Sequence, residues 1–224
     1  MTAGLMKGPG GWWLAPEGAA VHVAQATAVV ADVHLGYEWA RGQGGDCIPA
    51  HSLEDTIRRL EALFERVEAT RLIVAGDLVE SRRLCLRTED DLARFRAWLD
   101  DRGVELISLA GNHDPPRRPA LPASCEVDGW TITHGHRAIK PGRAIFGHHH
   151  PILRAEGLSA PCFLIDESTI VLPAFSSNAA GVSLSSLDRA LTTDRPAGPL
   201  RCLAAAGDAL LDFGPVPALL RALA

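Results

Sequence analysis

The chain has 224 residues, a net charge of −5, and 47% hydrophobic against 22% charged residues. That balance supports a single globular core and argues against a disordered chain, a repeat array or a broadly basic nucleic-acid footprint. No apolar run approaches the ~20 residues that span a bilayer, and Lys7 is followed by no apolar stretch of the kind a secretory leader carries, so the expected setting is the cytoplasm with no membrane partner.

Residues 26–31 form an apolar, β-branched run that reads as a strand ending at Asp32. Ser52 with Asp55 three positions on predicts a capping box. Behind it Leu53, Ile57, Leu60, Phe64 and Val67 recur at helical spacing, which predicts an amphipathic helix over 52–68. Residues 71–75 are the next strand, closed by Gly76-Asp77. A second helix is predicted over 88–102, with Leu92, Phe95 and Leu99 on one face and Gly103 as its stop. Residues 104–110 form the third strand and run into Gly111-Asn112-His113-Asp114. This alternation argues for parallel βαβ units.

The second half changes character. Val127-Asp128-Gly129-Trp130 offers a hairpin turn into a strand at 131–133. Residues 144–146, 161–165 and 169–172 are further short strands with no long helix between them. Residues 200–213 predict a hairpin about Gly207-Asp208, and 216–223 a terminal helix. The stretch 192–199 reads as a linker before a C-terminal tail (192–224) within a single domain, 1–224. Together these describe a mixed α/β sandwich, a parallel layer followed by a more antiparallel one.

Polar clusters stand after five of the predicted strands: Asp32-x-His34, Asp77, Asn112-His113-Asp114, His134-Gly135-His136 and His148-His149-His150. In open α/β sheets the carboxyl ends of the strands form the rim where ligands bind. Alternate residues at an extended strand end, such as Asp32 and His34 or His148 and His150, point the same way and can grip one ion. Imidazole, carboxylate and amide donors without thiolate suit Mn, Fe, Zn, Co or Ni. Asp32, His34, Asp77, Asn112, His134, His148 and His150 exceed the needs of one tetrahedral ion. They match two ions sharing a carboxylate, for which Asp77, single and central in chain order, is the natural bridge.

These motifs resemble the five ordered motifs of the calcineurin-like metallophosphoesterase superfamily, spread here over residues 32–150. The resemblance implies a four-layer sandwich of mixed β-sheets flanked by helices, and a phosphoesterase that uses metal-activated hydroxide. It implies two divalent cations, manganese foremost. Asp32, His34, Asp77 and His150 would hold the first, and Asp77, Asn112, His134 and His148 the second. His113 matches the family's catalytic histidine and Asp114 the acid that orients it. The family pattern favours His134 over His136 as the ligand in H-G-H. The run Asp32-Val33-His34-Leu35-Gly36-Tyr37-Glu38, together with Ile48-Pro49, Pro161-Cys162-Phe163 and Leu172-Pro173-Ala174-Phe175, is similar to a narrower prokaryotic subgroup. That subgroup comprises nuclease-related archaeal and ligase-associated DNA-damage-response phosphoesterases. The likeness implies phosphodiester substrates, DNA among them, and DNA-repair helicase or ligase partners.

Blander readings apply to other features. Five dispersed cysteines without C-x-x-C spacing read as reduced thiols. His22 and His51 read as packing residues, His149 as pointing away from its neighbours, and Trp12-Trp13 as cover for a sheet. Of the 22 basic residues only Lys7 and Lys140 are lysines, a bias that discounts any single arginine. Arg82 and Arg117 are still candidates for clamping a phosphate, because each follows a metal-motif loop. A phosphomonoesterase of small substrates, or a non-catalytic metal-bearing partner in a repair assembly, are the competing readings. The second type of protein tends to lose ligands or the catalytic histidine, and neither is lost here. A metallo-β-lactamase-like hydrolase would need an H-x-H-x-D-H cluster, which the chain lacks.

Overall fold

The computed structural model describes residues 4–116, 119–155, 157–191 and 199–223. The first half contains β1 (Met6–Lys7), β2 (Trp13–Ala15), β3 (Ala19–His22), β4 (Thr27–Val30), α1 (Tyr37–Gln43), α2 (Ser52–Arg66), β5 (Arg71–Val74), α3 (Leu86–Asp100) and β6 (Glu105–Ser108). The second contains β7 (Ser124–Val127), β8 (Trp130–Thr133), β9 (Ala144–Phe146), β10 (Pro151–Ala155), β11 (Leu158–Ile165), β12 (Thr169–Val171), β13 (Val182–Ser183), α4 (Leu184–Leu191), β14 (Arg201–Ala206), β15 (Ala209–Pro215) and α5 (Val216–Ala222). Among the described residues the strands form two sheets. One runs β1-β2-β3-β4-β5-β6; the other runs β13-β10-β11-β12-β9-β8-β7, with β14 on β11 and β15 on β14.

Strands β4, β5 and β6 pair in parallel, as the strand–helix alternation predicts, and β8, β9 and β12 are parallel as well. Period-two alternation on β4 and β5 assigns their faces. Ala28, Val30, Leu72 and Val74 pack with Leu53, Leu60, Leu63, Phe95 and Leu99 of α2 and α3. Val29 and Ile73 point the other way, into a core shared with Trp12, Trp130, Ile132, Ile145, Phe163 and Ile170 between the sheets. The outer face of the second sheet buries Phe146, Leu164 and Val171 with Leu184 of α4 and Val216 of α5. Helices, sheet, sheet, helices: this is the four-layer sandwich.

Several local features differ from the sequence reading. The strands β1–β3, and β10 and β13, carry no periodic signal long enough to predict. Helix α3 starts and ends two residues earlier than the apolar spacing suggests. The linker at 192–198 lies outside the described residues. The hairpin at Asp128-Gly129 forms as expected, with φ of 48° and 75°, the left-handed pair that a tight hairpin turn needs.

The capping box is absent. Ser52 is already inside α2, its Oγ accepting from Gly36 N (3.1 Å), while Asp55 pairs with Arg58 (2.6 Å). The first amides of α2 are capped from a distance instead: Glu38 of α1 accepts from His51 N (3.2 Å) and Ser52 N (3.3 Å). A carboxylate there also complements the positive end of the helix. Glu38 is 3% exposed, so losing it strands two donors away from water. Glu38→Ala is expected to cost about 1–3 kcal/mol, and Glu38→Gln, which keeps an acceptor, less. The urea midpoint measures both, and an unchanged midpoint for Glu38→Ala would refute this capping role.

Candidate metal centre

Backbone bonds bring the five strand ends to one edge of the sandwich. Ala75 N donates to Val30 O (2.8 Å), Asp32 N to Gly76 O (3.2 Å) and His34 N to Asp77 O (3.0 Å), which carries the β4–β5 pairing past both strands. From the second sheet, Gly147 N donates to His134 O (3.1 Å) and His148 N to Asp32 Oδ2 (2.8 Å). Glycines permit the approach: a Cβ on Gly111 would strike Asp77, and one on Gly147 would strike Ala31 and the Asp32 carboxylate.

The backbone here is strained. Asp32, His34, Asp77, His148 and His150 all have φ between 44° (His150) and 67° (His148). Such left-handed conformations cost a side-chain-bearing residue about 1–2 kcal/mol each. Strain concentrated along one rim marks a site whose side chains are held for a purpose. Left-handed backbone is not the extended strand that the alternation argument assumes, yet Asp32 and His34 still fall in one group. His148 and His150 do not share an ion position. His150 groups with Asp32 and His34, and His148 groups with Asp77 and His134, each set with its ligand atoms within 4.8 Å of one another. Asp77, expected to bridge, belongs to the second group, and Asn112 joins it through Oδ1, 2.9 Å from His134 Nε2.

The donor set fits a divalent cation. His134 Nδ1 lies 3.0 Å from Ala75 O, so that nitrogen carries the proton and Nε2 is left to ligate, the usual arrangement around a metal-bound histidine. Nε2 then faces two acceptors, Asn112 Oδ1 and Asp77 Oδ2 (3.1 Å), a confrontation relieved by a second ring proton or by a cation. Asp32 Oδ1, 3.1 Å from His150 Nε2, and His34 Nε2 are buried without a hydrogen-bond partner. Burial opposes the charged form of His134, but the Asp77 and Asp32 carboxylates outweigh it and raise its pKa. Burial likewise opposes ionisation of Asp77. The hydrogen bond and charge of His134, the amide of His113 and the charge of His34 overcome it and bring Asp77 to about 2.

The structure separates His134 from His136. His134 is fully buried in the cluster, whereas His136 lies beside it, ring centres 5.1 Å apart, and lines the neighbouring cavity. His149 packs on Phe146 outside both groups, and burial followed by the charge of His148 brings it down to about 4. His22 pairs with Asp128 (3.0 Å). Arg82 is exposed and borders the same cavity as Asn112, while Arg117 lies outside the described residues.

Among the described residues Asp114, expected to orient His113, makes no hydrogen bond to its ring. Its carboxylate accepts from Asp77 N (2.9 Å), Gly111 N (2.9 Å) and Val79 N (3.3 Å), and so ties the loops after β5 and β6 to each other. Burial raises the Asp114 pKa despite these bonds. The His113 ring is held by Glu80, a residue the sequence reading passed over: His113 Nδ1 donates to Glu80 O (2.7 Å). The Glu80 carboxylate lies 2.8 Å from His34 Nδ1, and with His34 and His113 it makes a third close group. A lone glutamate three positions after Asp77 carries no sequence signal; only the fold puts it between two histidines.

Comparison with known proteins agrees with this geometry. The family model described as calcineurin-like phosphoesterase matches residues 26–157. Among curated proteins, none matches the chain. The fold is similar to the crystal structure of Pseudomonas putida nuclease MPE, with a TM-score of 0.69 and 24% identity over 92% of this chain and 98% of that one. No helix among the described residues is long and apolar enough to cross a membrane. With more than half of its length matched, and the matched half carrying the clustered histidines and carboxylates, the chain belongs to the calcineurin-like phosphoesterases and is a metal-dependent hydrolase of phosphate esters.

Proposed function

We propose that the protein is a dinuclear phosphodiesterase acting on nucleotide or nucleic-acid diesters. The observation that carries the two-ion reading is the His134 ring. It stands between the carboxylates of the two ligand groups, with Nδ1 3.7 Å from Asp32 Oδ1 and Nε2 3.1 Å from Asp77 Oδ2. The groups are therefore neighbours in one centre. Asp32, His34 and His150 would hold one cation and Asn112, His134 and His148 the other, with Asp77 shared. The nitrogen and oxygen donor set suits manganese, iron, zinc, cobalt or nickel, and the family likeness puts manganese first. Bound cations of this kind supply Lewis acidity, polarising a phosphoryl oxygen and acidifying water.

The chain's own residues supply the rest. His113 is partly exposed at the mouth of the centre, and with Nδ1 donating to Glu80 O its Nε2 is the free ring nitrogen. In the doubly protonated ring Nε2 can hand its proton to the leaving oxygen. Glu80 restrains His113 through its carbonyl and His34 through its carboxylate. Asp114 keeps the Asp77 and Gly111 loops in register. Preference for a diester is supported by the nuclease activity of the fold relative and by the Asp32–Glu38 run. A cytoplasmic, DNA-repair setting with a helicase or ligase partner belongs to the same proposal and rests on that run.

A substrate panel with manganese-loaded protein tests the reading. Bis(p-nitrophenyl) phosphate and single-stranded DNA are expected to be cleaved faster than p-nitrophenyl phosphate, and EDTA to abolish all three activities. Faster monoester cleavage would overturn the diester preference. Asp77→Asn is expected to lose one of two bound manganese ions by elemental analysis, and turnover with it. His113→Ala should keep its metal and lose about 10²–10⁴-fold in kcat; full activity would remove His113 from the chemistry. Glu80→Gln is expected to weaken manganese binding by about 10–100-fold in calorimetry with the fold intact, and equal affinity would rule out its hold on His34.

A further inference from the structure

Beside the metal centre, on the Asn112 side, lies a cavity of about 480 Å³ walled in part by Arg82, Asn112, Pro116, Leu121, His136 and Arg137. That volume is in the range that holds a small ligand. Arg82 comes from the loop after β5 and Arg137 from the loop after β8, so the two sheets each contribute an arginine to the wall of one space. Neither arginine has a carboxylate or hydrogen-bond partner among the described residues. By contrast Arg41, Arg58, Arg66, Arg94, Arg102 and Arg201 are each paired with an acid. The cavity's one carboxylate, Asp114, already accepts from three backbone amides. His136 lines the same space.

Two free guanidiniums on a chain of net charge −5 make a local anion site, and a guanidinium fork suits phosphate. The scissile phosphate has its own counter-charge in the metal centre, so this pair serves further negative charge on the substrate. We infer that the cavity binds the phosphate next to the scissile one in a nucleic-acid strand, with Arg82 and Arg137 as its clamps. Asn112 makes the two sites contiguous, since it lines the cavity and touches His134 of the centre. Pro116 and Leu121 give the intervening nucleoside an apolar wall. This subsite deepens the diesterase reading and rests on it: a substrate with one phosphate leaves the clamp empty.

The test compares manganese-loaded wild type with Arg82→Ala/Arg137→Ala on bis(p-nitrophenyl) phosphate, which has one phosphate, and on a short oligothymidylate, which has several. The double variant is expected to lose at least about tenfold more kcat/KM on the oligonucleotide than on the single diester, as two lost charged hydrogen bonds imply. Binding of a fluorescein-labelled oligothymidylate, read by anisotropy in the manganese-loaded His113→Ala background, should show a salt slope shallower by about 0.7, for one phosphate neutralised on a single strand. Equal losses on both substrates, or an unchanged salt slope, would overturn the subsite. If wild type cleaves neither substrate, the diesterase reading fails, and the anisotropy arm still decides whether the cavity takes phosphate.

Discussion

Two carboxylates, Asp32 and Asp77, stand almost wholly out of water at the ends of adjacent parallel strands, and the rim is built around that fact. Burying an ion costs several kcal/mol unless charge and hydrogen bonds compensate. Amides do part of this: His148 N reaches Asp32 and His113 N reaches Asp77, at 2.8 Å and 2.7 Å. The His134 ring does more, placed between the two acids with its other contacts on Ala75 O and Asn112. The remaining unpartnered atoms, Asp32 Oδ1 and His34 Nε2, are what a cation would satisfy. A metal-dependent fold of this type thus keeps a deficit of positive charge that its metals complete.

Holding that arrangement requires a stiff platform. Strands β4 and β5 bury both faces, one against α2 and α3 and the other against the second sheet, so their carboxyl ends have little freedom to relax. The second sheet brings β8 and β9 to the same edge, with Gly147 N on His134 O as the link between their extensions. Left-handed backbone at five candidate ligand positions is sustained by this packing. The layers supply the stability that the rim spends in strain and desolvation.

Much of this was legible in the residues. Helical spacing located α2 and α3, β-branched runs located the central strands, and Asp128-Gly129 located a hairpin. Each of these signals is local, because a side chain's face follows from its neighbours' spacing. Clusters at the strand ends pointed to one rim for the same reason. What failed was anything carried by contacts distant in the chain. The cap of α2 comes from Glu38 and not from Ser52. Asp114 serves backbone amides of two loops and not the adjacent His113 ring. Glu80, unremarkable by spacing, sits between two histidines. His148 and His150 separate into different ligand groups, which alternation along a strand does not foresee.

The amino-acid sequence by itself determined the chemistry of this protein: nitrogen and oxygen donors without thiolate, in order, each after a buried strand, in a chain with enough apolar surface for one core. Periodicity and donor type are properties of short segments, so they can be read without coordinates. Only the tertiary structure decided which donors face one another, which histidine of His134-Gly135-His136 enters the cluster, and which residues hold the ligands in place. Those outcomes depend on how two sheets meet at one edge, which no short segment encodes. The arginine-walled cavity is of the same kind, since Arg82 and Arg137 are far apart in sequence and become one site only where the two halves of the sandwich close on the same rim.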